Sequence, residues 1–91
     1  MLNVTDDAAT LVCTLTHDHN KSAGTAGLRI VVDPVHQSLA MSVAYGPSPA
    51  DCVVVNGDAR VFLAPTASRR LDKRTLRAEI SSYRSCFYLD R

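Results

Sequence analysis

Residues 51–76 read DCVVVNGDARVFLAPTASRRLDKRTL, and this stretch decides the fold. Val53 and Val55 flank Val54, Asn56 and Gly57 follow, and Val61 and Leu63 then flank Phe62. β-Branched and aromatic runs on either side of an Asn-Gly pair predict a hairpin, because both turn residues tolerate positive φ. Pro65 has no amide to give a ladder and stops the second strand. Thr66 is expected to cap a helix over residues 66–74 that carries Leu71 inward.

Working outward, Leu2, Asn3 and Val4 form a short strand. Thr5 is an N-cap candidate, and Asp6 and Asp7 stand in the first turn, where the helix dipole favours negative charge. Ala8, Leu11, Val12 and Leu15 fall at the spacing of one helical face, so a helix is expected over residues 6–16. Residues 17–27 read as a polar loop. Leu28, Arg29, Ile30, Val31 and Val32 form a strand dense in β-branched residues. Asp33 and Pro34 turn the chain. Large side chains at Leu39, Met41, Val43 and Tyr45 alternate with small ones, the period of a half-buried strand. Residues 46–49, GPSP, form a rigid loop. Leu76, Ala78 and Ile80 alternate in a further strand, and residues 86–89 form the last. The expected architecture is α+β, a small sandwich of about seven strands with an N-terminal helix and a second short one, in a single domain over residues 1–91. Its core is expected to hold Ile30, Val32, Val53, Val55, Val61, Leu63, Leu71 and Phe87 with Leu11 and Leu15.

The chain has 91 residues, 46% hydrophobic and 21% charged, which suits one modest core. With no Trp, three Tyr and two Phe, the core falls to Val, Leu, Ile and Ala. No apolar run approaches the roughly 20 residues of a membrane span, and no basic-then-apolar leader opens the chain. A cytoplasmic location without membrane contact is the expectation. Cys13, Cys52 and Cys86 are odd in number and far apart, which matches neither a disulfide framework nor a C-x-x-C metal site.

Three features together carry a resemblance. The first is the hairpin closing on Gly57, Val61-Phe62-Leu63 and Pro65, followed by a short helix and Leu71-Asp72. The second is Thr5-Asp6-Asp7-Ala8 after a strand, opening an amphipathic helix. The third is Leu28-Arg29-Ile30 with Val32 after Gly27. The chain in this respect resembles the HesB-like domain, the A-type scaffold of iron–sulfur biogenesis. The resemblance covers nearly the whole chain and implies a β-sandwich with helices at these two places. It implies a protein that carries or transfers iron or a cluster to clients, usually as an oligomer.

The resemblance also implies three cysteine ligands, since soft thiolates hold iron–sulfur clusters. One follows the strand that is Leu28 to Val32 here, but residues 33–38, DPVHQS, contain none. The other two form a C-x-C near the family's C-terminus; the sequence ends at Arg91, just after the strand expected to precede it. Cys86 stands where the family usually has a glycine before a phenylalanine. No cofactor is therefore expected, and iron or a cluster enters by resemblance only. Candidate replacement ligands are His36, close to the first cysteine's place, Cys86, and the His17/His19 pair, which brackets Asp18.

Residues 1–45 carry two basic side chains against four acidic, and residues 46–91 carry eight against five. Arg69, Arg70, Lys73, Arg74 and Arg77 cluster among them, and on one helix they would make two basic columns facing out. Such a face suits an acidic protein surface. Nucleic acid is not expected, because no aromatic platform is interleaved with the arginines. With no G-x-S-x-G elbow, no phosphate loop and no nucleophile–base pair, the chain is not expected to be an enzyme. Its expected partners are another protein or further copies of itself.

Overall fold

The computed structural model describes residues 1–18 and 26–90. Nine elements follow in order: β1 (Asn3–Val4), α1 (Asp6–Asp18), β2 (Gly27–Val32), β3 (Leu39–Ala44), β4 (Cys52–Asn56), β5 (Ala59–Leu63), α2 (Pro65–Arg70), β6 (Thr75–Ile80) and β7 (Ser85–Asp90). The strands form two mixed sheets, of order β1-β6-β7 and β3-β2-β5-β4. In the first, β1 runs parallel to β6 and β7 antiparallel to it. In the second, β2 and β5 run parallel at the centre, with β3 and β4 antiparallel on the outside. The α+β reading and the count of seven strands and two helices hold. Among the described residues no helix is long and apolar enough to cross a membrane.

Helix α1 packs on β6 of one sheet and on β5 and β2 of the other. One cluster forms there from Ala8, Leu11 and Val12 of α1, Leu28 and Ile30 of β2, Val54 of β4, Val61 and Leu63 of β5, and Leu76 and Ala78 of β6. Ala67 and Leu71 join it from α2 and its end. Thr5 caps α1 as expected, its Oγ1 accepting from the Ala8 amide at 3.3 Å. The helix runs on to Asp18, two residues past the expected end.

The expected core is right at Ile30, Val61, Leu63, Leu71 and Leu11, all buried, and Val32, Phe87 and Leu15 pack against it while partly exposed. It is wrong at Val53 and Val55, which are 39% and 57% exposed. Val54 is the inward residue, directly opposite Val61. Three consecutive valines carry no alternation, so only pairing with β5 decides which one faces in.

The hairpin turn also lies one residue on. Asn56 pairs with Ala59 as the last ladder position, and Gly57 and Asp58 make the bend. Gly57 alone there has positive φ, 60°, which places a glycine first in a two-residue loop as a type II′ turn requires. The Asn56 side chain instead reaches across, donating from Nδ2 to the Val4 carbonyl at 2.8 Å and to Asp6 Oδ1 at 3.1 Å. This ties the hairpin to β1 and to the start of α1.

The second helix is shorter than expected and begins earlier. Ala64 is its N-cap, without a side-chain cap bond, and Pro65 takes the first position, where its missing amide costs nothing. Thr66 is therefore inside the helix. Leu71 closes it, and Lys73 then adopts φ 65°, so Lys73 and Arg74 lie beyond it.

Candidate functional site

The resemblance directs attention to the loop between β2 and β3. Most of its bonds are internal. The Asp33 amide donates to the Ser38 carbonyl at 2.7 Å, and the Gln37 amide to the Asp33 carbonyl at 2.8 Å. Asp33 Oδ1 accepts from the amides of Val35 and His36 at 2.8 and 3.4 Å, and Oδ2 faces His36 Nδ1 at 3.0 Å. These contacts, the His36 ring first, hold the Asp33 carboxyl below its ordinary range. Gln37 completes the bend at φ 57°, a conformation uncommon for a residue with a side chain.

The candidate ligands are spread over the molecule. His36 is exposed in this loop, and Cys86 is exposed on β7 of the other sheet, opposite Glu79. His17 is exposed in the last turn of α1, and His19 lies outside the described residues. Cys13 on α1 and Cys52 on β4 are half-buried against the core. Among the described residues no three His, Cys, Asp or Glu side chains gather to hold a metal ion.

The basic residues do not share one helix. Arg69 and Arg70 occupy the last turn of α2, Lys73 and Arg74 follow its end, and Arg77 stands on β6. The expected basic columns fail because α2 ends at Arg70. Arg77 Nε pairs with Asp90 Oδ2 at 3.1 Å. Arg74 is half-buried, and its Nε has no hydrogen-bond partner among the described residues. Arg70 turns toward the loop described above and donates to the Gln37 carbonyl.

One polar anchor escaped the sequence reading. Arg29 and Asp51 form a two-pronged pair, Nε to Oδ2 at 2.9 Å and Nη2 to Oδ1 at 3.1 Å. The Asp51 side chain is 1% exposed and also accepts from the Ser48 amide, so it pins the residue 46–50 loop onto β2. The Arg29 guanidinium holds the Asp51 carboxyl below its usual range. A lone arginine inside the apolar run of β2 was the available clue, since such a charge needs a partner.

A shallow cavity of about 400 Å³ opens between α1 and the β4–β5 turn, lined in part by Asp6, Thr10, Cys13, Asn56 and Asp58. Asp6 and Thr10 are already bonded, to Asn56 Nδ2 and to the Asp6 carbonyl respectively.

No protein-family model matches the chain, and no curated protein matches it by sequence. Solved structures do match it. Escherichia coli SufA, described as involved in biosynthesis of iron–sulfur clusters, superimposes with a TM-score of 0.78 at 18% identity, over 97% of this chain and 82% of that one. A structure of IscA with a [2Fe-2S] cluster gives a TM-score of 0.69 at 17% identity, over 98% and 80%. A protein of Aquifex aeolicus, solved by NMR in solution, gives 0.75 at 19% identity, over 99% and 90%. The element order, the two mixed sheets and these superpositions agree: this chain has the HesB-like fold that SufA and IscA display.

Proposed function

We propose that this chain serves iron–sulfur metabolism by docking to a protein partner and holds no cluster through the cysteines of the HesB-like pattern. It contributes a surface and catalyses nothing. The link to iron–sulfur metabolism rests on the shared fold with SufA and IscA. The observation that supports the no-cluster half is the β2–β3 loop. Where the resemblance places a cysteine there is none, and the loop closes on itself through Asp33, His36 and Gln37. Cys13, Cys52 and Cys86 stand on α1, β4 and β7, so none replaces that thiolate by position.

The test is anaerobic reconstitution with iron and sulfide, then a visible spectrum and metal analysis after desalting. A colourless, folded, iron-free protein is the expected outcome. Sulfur-to-iron charge-transfer bands with near-stoichiometric iron would overturn it and restore the carrier role.

A second reading dispenses with iron–sulfur metabolism and keeps the fold as a metal-independent interaction module. Arg69 and Arg70 favour it, being exposed and without a carboxylate partner among the described residues. Partners recovered by crosslinking in cells separate the two readings. Iron–sulfur assembly components or apo-clients support the first, and their absence from the crosslinked set supports the second.

A further inference from the structure

The β2–β3 loop and the end of α2 meet at one point. Arg70 Nη1 donates to the carbonyl of Gln37, 33 residues upstream. The loop is tied from within by Asp33, and Gln37 Nε2 adds a bond to the Pro34 carbonyl at 3.1 Å. A loop held this way loses little freedom when something binds it. It presents Val35, which is 80% exposed. An isolated exposed valine means nothing by itself. Here it stands on a braced loop that the Arg70 guanidinium contacts.

Arg70 gives one donor to a neutral carbonyl, so among the described residues its charge is uncompensated and the rest of its fork is left for an anion. Arg69 beside it has no carboxylate partner among the described residues. The one carboxylate in the loop, Asp33, is occupied on both oxygens by Val35, His36 and the His36 ring. Arg69 and Arg70 against the single carboxylate of Asp33 leave this region net cationic, with Val35 exposed in it. A branched aliphatic side chain offers no stacking platform for bases, which ranks nucleic acid below a protein.

We propose that Val35, Arg69 and Arg70 form a docking surface for an acidic protein segment that sets an apolar residue between carboxylates. The proposal rests on the docking reading above and names the surface and the partner's chemistry.

Amide NMR of the labelled chain, titrated with a glutamate–leucine copolymer, tests it, with poly-glutamate and oligothymidylate in parallel. Shifts centred on residues 35–37 and 69–70 are expected. Arg70→Glu should weaken copolymer binding at least about tenfold, the scale of a lost hydrogen bond to a charged group. Arg70→Lys, which keeps charge but loses the fork, should fall between. Val35→Ser should weaken the copolymer about threefold and leave poly-glutamate unchanged, since only apolar contact is lost. The remaining amides report the fold in each variant. Shifts centred on Arg60 or Arg84, unchanged binding by Arg70→Glu, or equal or tighter oligothymidylate binding at the same residues would each overturn the proposal. Cluster loading on reconstitution, with the copolymer map intact, would sink the docking-without-cluster reading and spare this surface. A colourless protein with no such map would sink the surface alone.

Discussion

β4 and β5 are the two arms of one hairpin, written in similar apolar residues, and they are buried to very different degrees. In β5, Val61, Phe62 and Leu63 are all buried, so the strand is covered on both faces. In β4 only Val54 is buried, and Val53 and Val55 reach solvent. The difference follows from place in the sheet. β5 sits between β2 and β4, with α1 on one face. On its other face Phe62 has Arg29 and Val53 as cross-strand neighbours and its ring edge against Gly27. β4 is the last strand of its sheet and has a neighbour on one side only. The same residue type is therefore core in one arm and surface in the other.

Phe62→Ala should break this contrast hardest. It empties a fully buried position, a loss of about 3–5 kcal/mol, a large share of the roughly 5–15 kcal/mol expected for a domain. Urea unfolding checks it, and a loss below about 1 kcal/mol would show the outer face to be loosely covered.

Gly27→Ala attacks the same face from the neighbouring strand. An added Cβ would lie 2.4 Å from the Arg60 carbonyl oxygen and 2.9 Å from the Phe62 ring. Because the first obstacle is backbone, β2 and β5 must separate, at about 1–3 kcal/mol or more. Thermal unfolding reads this directly.

Asp51→Asn sharpens the comparison by removing the charge that fastens the residue 46–50 loop. About 1–3 kcal/mol should be lost at neutral pH, because a hydrogen bond to a charged group is gone while Arg29 keeps some solvent. The folded-state pKa of Asp51 lies below its unfolded value, so its contribution is full above the unfolded carboxylate pKa of about 3.9 and is lost as pH falls through the folded value. The variant's stability should therefore fall less steeply with acid than that of the parent. Parallel acid slopes in the two proteins would contradict the pairing.

Val55→Thr should do least, within about 0.5 kcal/mol, because the side chain is mostly in water and threonine suits a strand equally. A loss comparable to that of a buried valine would mean that β4 is covered in solution, most simply by a second copy.

The order and type of the nine elements were legible because each carries its own local mark. Thr5 before Asp6 and Asp7 opens a helix, a glycine marks the hairpin, and Pro65 divides strand from helix. What was not legible depends on neighbours far along the chain. The inward valine of β4 is chosen by Val61. Burial of Phe62 on the outer face depends on Gly27, 35 residues earlier, leaving room for the ring. At the candidate site, His36 and the absence of a cysteine from residues 33–38 could be read directly. The bond from Arg70 to Gln37 could not, since no local pattern links a helix end to a turn 33 residues back. The basic columns failed for a local reason: Leu71 ends α2 before a second turn of arginines can form.

Asn56 gives the hairpin a chemical lifetime. It precedes Gly57, and an asparagine before the smallest residue is the side chain most open to attack by the next backbone nitrogen, with loss of ammonia. In this fold its Nδ2 faces two oxygens, the Val4 carbonyl at 2.8 Å and Asp6 Oδ1 at 3.1 Å. Deamidation would exchange a donor that both oxygens accept from for a carboxylate that both repel. The link from the β4–β5 hairpin to β1 and α1 would then become a point of repulsion, so the protein's age would be written at the junction of its two sheets.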